Sequence, residues 1–187
     1  MIKKHIKRLS FIVVILSHLG FLVAILIEQQ NSPFIVAFII LMLLLLLITY
    51  KKTPLSAENH VLEHVLTIGF VFIGAIATYG LYMLLGLSSV LAASLIGLVV
   101  SFIPDLFKKS KLIQGMPTAV YCGTFVGMTN ISIAPDYIFI TLASFISGFL
   151  LIGTKNTFHG VGGKLGTLAF GGVTIAFFIT LLITKWL

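Results

Sequence analysis

A polar, glycine-rich segment passes into an apolar helix at residues 159–172, which read HGVGGKLGTLAFGG. A second segment has the same character at residues 114–127, which read QGMPTAVYCGTFVG. Each contains Gly or Pro near its start, and small residues follow at helical spacing. Long apolar runs flank both segments. This pattern predicts a bundle of membrane helices, two of which begin with an interruption.

The composition indicates that the lipid bilayer is the solvent of this chain. Of its 187 residues, 59% are hydrophobic and 9% are charged, whereas soluble domains carry about 25% charged residues. So few charged residues cannot cover a water-soluble surface. We therefore expect an all-α, polytopic integral membrane protein that forms a single membrane domain over residues 1–187.

Polar or turn residues divide the chain into seven apolar segments. A membrane helix needs about 20 apolar residues, with a range of roughly 17 to 25. The segments lie at about 9–27, 34–50, 65–86, 90–107, 112–130, 137–153 and 165–185. The sequence thus predicts about seven transmembrane helices. Asp136, which follows Pro135, is expected to cap the start of the sixth.

The basic residues that give the chain a net charge of +7 follow the pattern that sets the orientation of membrane proteins. Basic residues precede the first helix and occupy every second loop, whereas the loops near 28–33, 86–89 and 130–136 have none. Because Lys and Arg are enriched on the cytoplasmic side, we expect a cytoplasmic N-terminus and an outside C-terminus in the cell (inner) membrane. The same distribution argues against a basic patch that binds nucleic acid.

The first two helices differ from the other five. Residues 34–50 contain no Gly, whereas Gly, Ala, Ser and Thr recur at helical spacing from Gly69 onward. Small residues let membrane helices approach closely. We expect a peripheral two-helix hairpin over 1–50 and a five-helix core over 65–185. The predicted packing ridges are Ala119, Gly123 and Gly127 in the fifth helix and Gly163, Thr167 and Gly171 in the seventh.

Two hairpins, at 90–130 and 137–185, share features of a parallel repeat. Each second helix follows a Gly-containing break, at Gln114-Gly115 in one and at His159-Gly160 in the other. Pro117 suits the first turn of a helix. If the fifth helix begins there, it is short for a full crossing, so residues 112–130 form either a full span or a broken helix. Interrupted helices at matching positions of two halves are typical of transporter sites. Chance similarity between Gly-rich helices is the alternative.

A helix that begins at such a break presents free N–H groups and a positive dipole end, which favour anions. Lys164 and a protonated His159 would add positive charge, while hydroxyl and amide groups would add hydrogen bonds. The predicted substrate-binding residues are Gln114, Thr118, Tyr121, His159, Lys164 and Thr167. The alternative is that these Gly and Pro residues are ordinary loop residues at the ends of helices and that Lys164 reaches lipid headgroups.

A second motif, His60-Val-Leu-Glu63-His64, matches the H-x-x-E-H pattern of inverted zincin metalloproteases. His60 and His64 lie one helical turn apart, so both imidazoles could bind one zinc ion with Glu63 nearby. A third protein ligand is not evident. The alternative is an amphipathic cytoplasmic lead-in to the third helix.

The sequence therefore favours a transporter or channel-like membrane protein over an enzyme. The solute would be small and polar or anionic, and it would bind at the two interrupted helix starts. Because the chain is short, we expect a homo-oligomer or another membrane partner. The alternatives are a membrane metal-binding protein or enzyme, and a non-transporting assembly or regulatory subunit.

Overall fold

The computed structural model describes residues 2–28, 33–52, 65–154 and 163–186. Within these ranges the chain forms seven α-helices and no β-strand. Each predicted apolar segment corresponds to one helix, so the all-α prediction is confirmed. The helices are α1 (Ile2–Glu28), α2 (Pro33–Lys52), α3 (Leu66–Leu85), α4 (Ser89–Leu106), α5 (Lys111–Gly127), α6 (Tyr137–Gly153) and α7 (Lys164–Trp186).

Three of the helices in the described ranges are long and apolar enough to cross a membrane. They are α3, α4 and the Lys164–Thr184 part of α7, with mean hydropathies of 2.0, 2.0 and 2.1. Helix α6 is apolar as well, but at 17 residues it is shorter. The chain is thus all-helical and has helices suited to a membrane.

Helix α3 packs against α4, α5 and α6 within the core. Its contact with α5 is made through glycines, because a Cβ added at Gly123 would meet the carbonyl oxygen of Val71. One turn further on, a Cβ at Gly127 would meet the carbonyl of Ala75. The two helices run parallel, and their backbones touch. The predicted ridge on α5 is confirmed.

Helices α6 and α7 form an antiparallel pair whose closest point is Gly172. A Cβ at Gly172 would meet the side chain of Ser147 and the carbonyl of Ala143. A Cβ at Gly171 would also be tight, at 3.3 Å from the Cδ1 atom of Leu150, whereas Gly163 precedes the helix. Of the predicted ridge on α7, Gly171 thus lies at a close contact and Gly163 does not. Buried residues of α7 include Leu168, Ala169, Gly171, Gly172 and Ala176.

The end of α3 is tied to the loop between α5 and α6. The Tyr79 hydroxyl donates to the carbonyl of Ala134 at 2.7 Å, and the Tyr137 ring packs edge-on against Tyr79 with centroids 5.1 Å apart. Asp136 caps α6 by accepting a hydrogen bond from the Phe139 N–H at 2.8 Å. The predicted cap is thus confirmed.

Helix α1 joins this core through α7. Val14 of α1 is fully buried, and the His18 ring lies 5.2 Å from the Phe170 ring of α7. The Nδ1 atom of His18 is 3.0 Å from the carbonyl of Val14 on its own helix. Among the helices that the structure describes, α2 packs against α1 alone.

We expect Gly123→Ala to destabilise the protein, because its new methyl group would push α3 and α5 apart. Overpacking of this kind costs about 1–3 kcal/mol. Gly69→Ala is the matched control, since no atom lies within 4 Å of a Cβ there and Ala favours a helix by about 1 kcal/mol over Gly. Thermal melts of detergent-purified protein should show a lower midpoint for Gly123→Ala only. Equal midpoints would contradict the close backbone contact.

Candidate functional site

Helix α5 begins earlier than Pro117, and the predicted break at Gln114-Gly115 is wrong. The helix starts at Lys111, where the Ser110 side chain accepts a hydrogen bond from the Ile113 N–H at 3.4 Å. Pro117 lies inside a continuous helix. A proline in a helix interior lacks one N–H donor and kinks or breaks the helix in some settings. Here the Ser110 cap sets the start instead, and the helix passes through the proline.

Two of the predicted ligands on α5 contact α4. The Gln114 side-chain amide donates to the carbonyl of Pro104 at 3.1 Å, in the last turn of α4. The Tyr121 ring lies so close to Gly97 that a Cβ there would meet it. Thr118, on the same side of α5, is exposed. Gln114 and Tyr121 therefore hold the α4–α5 hairpin together.

Helix α7, in contrast to α5, begins directly after a glycine. Gly163 has a φ of +81°, a left-handed conformation that other residues rarely adopt. Lys164 follows as the first helical residue and is half-buried. The Thr167 N–H makes the first helical bond, 2.9 Å to the carbonyl of Gly163. The predicted late start of α7 agrees with these contacts.

The Lys164 ammonium group contacts the end of the neighbouring helix. Its Nζ donates to the carbonyl of Thr154 at 3.0 Å, and Thr154 is the C-terminal cap of α6. A cation at a helix C-terminus is stabilised by the negative end of the helix dipole. Thr154 was not among the predicted site residues. The signal that could have found it is its position as the last polar residue of an apolar helix.

Helices α5 and α7 meet at Cys122 and Leu165. The Cys122 thiol lies 3.7 Å from the carbonyl of Leu165, and its side chain is fully buried. This contact brings together the two helices that carry the predicted site. The polar side chains themselves have other partners, since Gln114 bonds to α4 and Lys164 bonds to α6.

Several predicted ligands lie outside the described residues. These are His159 and the proposed metal ligands His60, Glu63 and His64. Within the part of the chain that the structure describes, no three His, Cys, Asp or Glu side chains come close enough to hold a metal ion.

Two buried hydroxyl groups lie in the tightest helix contacts. Ser147 lies at the α6–α7 contact and Thr78 beside Gly127 at the α3–α5 contact, and both side chains are fully buried. Neither hydroxyl has a hydrogen-bond partner among the described residues. Ser and Thr in helices commonly donate to the carbonyl four residues earlier.

Comparison of the chain with models of protein families, with curated protein sequences and with solved structures found no match. The function is therefore argued from the residues and contacts themselves. On α5 and α7 these supply hydroxyl groups, one amide and one half-buried ammonium group. Such groups suit the binding of a small polar or negatively charged molecule.

Cys122 offers a direct probe of how far water enters between α5 and α7. Because its side chain is fully buried, we expect a water-soluble maleimide to modify it far more slowly in the folded protein than in the unfolded protein. The measurement is the rate of labelling in mild detergent at 25 °C, compared with the rate in denaturant. Fast labelling of the folded protein would show that the α5–α7 contact is open to water.

Proposed function

We propose that this chain is a seven-span protein of the cell (inner) membrane, with its N-terminus in the cytoplasm and its C-terminus outside. Contacts within the core support this arrangement, because α3 and α5 run parallel while α4 and α6 run opposite to them. Gly148 beside Ile68 and Gly97 beside Tyr121 are two of these antiparallel contacts. Because successive helices alternate in direction, Lys108 and Lys109 lie at the same end of the core as the start of α7.

The shorter helices are compatible with a full crossing. Helices α5 and α6 have 17 residues each, which is at the lower end of the range of roughly 17 to 25 for a membrane span. The loop of residues 128–136, at the opposite end from Lys108 and Lys109, contains no Lys or Arg and includes Asp136. This agrees with an outside loop.

Cysteine labelling tests the orientation. In a Cys122→Ala background we expect an impermeant maleimide added to intact cells to label Ser132→Cys. The same reagent should label Lys109→Cys only after the cells are permeabilised. Both positions are exposed, so accessibility within the protein does not limit either reaction. The reverse pattern, or equal labelling of both before permeabilisation, would contradict the proposed topology.

We further propose that the protein passes a small polar or anionic solute between the α4–α5 and α6–α7 hairpins. The observation that carries this proposal is the half-buried ammonium group of Lys164 at the start of an apolar helix. A charge inside or at the edge of a membrane is costly, so a retained one marks a functional candidate. An anionic solute would compete with the carbonyl of Thr154 for this group.

The contacts also favour a mechanism in which the hairpins rock against each other. Each hairpin is bonded internally, through Gln114 to α4 and through Lys164 to α6. Where α5 meets α7, the polar contact is the weak one between Cys122 and Leu165. Movement at this contact would uncover Thr167, which with the exposed Thr118 and with His159 would complete the site.

Substitution of Lys164 tests the solute site. In proteoliposomes we expect stopped-flow swelling to show passage of at least one solute among chloride, formate, acetate, phosphate, urea and glycerol. Lys164→Gln keeps a donor for Thr154 but removes the charge, so anion flux should fall about tenfold or more, as loss of a charged hydrogen bond predicts. Lys185→Gln, at the other end of the same helix, is the control and should be unchanged. Full flux in folded Lys164→Gln would exclude Lys164 from the site.

A non-transporting assembly or regulatory subunit is the second candidate. The observation that favours it is that Gln114, Tyr121 and Lys164 all have partners on neighbouring helices. In that case wild-type proteoliposomes would pass none of the panel solutes faster than empty liposomes. A homo-oligomer is part of both proposals. Only 17% of the α4 residues are buried within one chain, which leaves most of this helix available to a second copy or to lipid.

A metal-binding protein or enzyme that uses His60, Glu63 and His64 is a further proposal, and it depends on the sequence motif alone. Metal analysis of the purified protein distinguishes it. Stoichiometric zinc at neutral pH that is lost in His60→Ala would support it, and its absence from the wild-type protein would exclude it.

A further inference from the structure

The turn between α4 and α5 combines basic and apolar side chains at one end of the core. We refer to residues 105–111 as the basic turn. Lys108, Lys109 and Lys111 are exposed, and the apolar side chains of Leu106 and Phe107 are also 77% and 54% exposed. The residues from Asp105 to Ser110 line an open hollow of about 430 Å³.

Hydrogen bonds on both sides hold the backbone of the basic turn. The Phe107 N–H donates to the carbonyl of Pro104 at 3.2 Å, and the Ser110 N–H donates to the carbonyl of Phe107 at 3.1 Å. The side-chain amide of Gln114 reaches back across the turn to the same Pro104 carbonyl. The lysines are therefore presented from a fixed backbone.

The positive charge of the basic turn is not neutralised within the described part of the chain. No described carboxylate lies within 4.0 Å of the Lys108, Lys109 or Lys111 nitrogen. Asp105 is the acidic residue of the turn, and it is exposed. The turn thus carries more basic than acidic groups, and an anionic partner would complement it.

We propose that the basic turn binds the headgroup of an anionic phospholipid from the surrounding membrane. Lys108 and Lys109 contact the phosphate, and Leu106 and Phe107 enter the acyl-chain region below it. The combination identifies a lipid, because a soluble anion would make no use of two exposed apolar side chains next to the lysines. Lysine and aromatic side chains at the ends of membrane helices occupy this same boundary.

This inference goes beyond the solute site, since it uses the placement of the turn at a membrane surface but neither Lys164 nor the α5–α7 contact. Loss of flux in Lys164→Gln and loss of lipid binding are therefore separate results. Each basic residue near an anionic membrane surface contributes on the order of 1 kcal/mol of attraction.

The test uses the full-length protein in a neutral detergent, titrated with phosphatidylglycerol or phosphatidylcholine and followed by native mass spectrometry. We expect the wild-type protein to retain phosphatidylglycerol in preference to phosphatidylcholine. The Lys108→Gln, Lys109→Gln double variant should bind phosphatidylglycerol about tenfold more weakly and phosphatidylcholine as before. Because both lysines are exposed, its melting temperature should be unchanged.

Two control variants separate a defined site from general charge. Lys3→Gln with Lys4→Gln makes the same charge change at the start of α1 and should keep phosphatidylglycerol affinity within about twofold of wild type, since those lysines lie outside the turn. Lys108→Arg with Lys109→Arg keeps the charge and should also retain binding. Equal loss in both Gln pairs, loss in neither, or loss in the Arg pair would overturn the proposal.

Inorganic phosphate separates a lipid from a soluble anion. We expect millimolar phosphate to leave bound phosphatidylglycerol in place, because phosphate lacks the acyl chains that contact Leu106 and Phe107. Displacement of the lipid by phosphate at equal concentration would overturn the assignment to a lipid and indicate a free-phosphate site. Equal retention of phosphatidylglycerol and phosphatidylcholine by the wild-type protein would also overturn it.

Discussion

The close approach of α3 and α5 is the contact on which the rest of the bundle depends. Apolar side chains gain little from contacting one another rather than lipid, so membrane helices associate through backbone proximity and hydrogen bonds. Gly123 and Gly127 allow that proximity by placing hydrogen atoms where Cβ atoms would meet carbonyl groups of α3. Because α3 also contacts α4 and α6, its position relative to α5 affects the placement of the α4–α5 and α6–α7 hairpins. Gly172 has the corresponding role between α6 and α7.

Under the proposed function, Lys164 would contribute both to helix packing and to solute binding. Its hydrogen bond to Thr154 links the end of α6 to the start of α7, and the helix dipole favours a cation there. The same bond keeps a half-buried ammonium group at the edge of an apolar helix. A solute that replaced the Thr154 carbonyl would loosen the α6–α7 junction as it bound. Binding and movement of this hairpin would then be coupled, as a carrier requires.

Sequence patterns predicted the helices well and their details less well. Apolar runs predicted all seven helices because the length of an apolar segment can be read directly from the sequence. The Asp136 cap was predictable for the same reason, since it depends on residues three positions apart. The start of α5 was not predictable, because the sequence is compatible both with a cap at Ser110 and with a first turn at Pro117. The choice between them depends on contacts such as that of Gln114 with Pro104. The partners of Lys164 and Cys122 lie on other helices, which no local pattern specifies.

The helix contacts within the two hairpins test the proposed repeat more directly than the sequence match between them. The two hairpins have the same direction, and their first helices share an Ala-Ser-x-Ile sequence at residues 93–96 and 143–146. When these are aligned, Gly97 corresponds to Ser147, and each of the two makes a close helix contact. Their partners, Tyr121 and Gly172, do not correspond in the alignment that pairs Gly115 with Gly160. The break is also present before α7 and absent from α5. The shared feature is therefore close packing within each hairpin. A solute site has to be supported by the asymmetric α6–α7 junction, where a charge is present, rather than by symmetry between two helix starts.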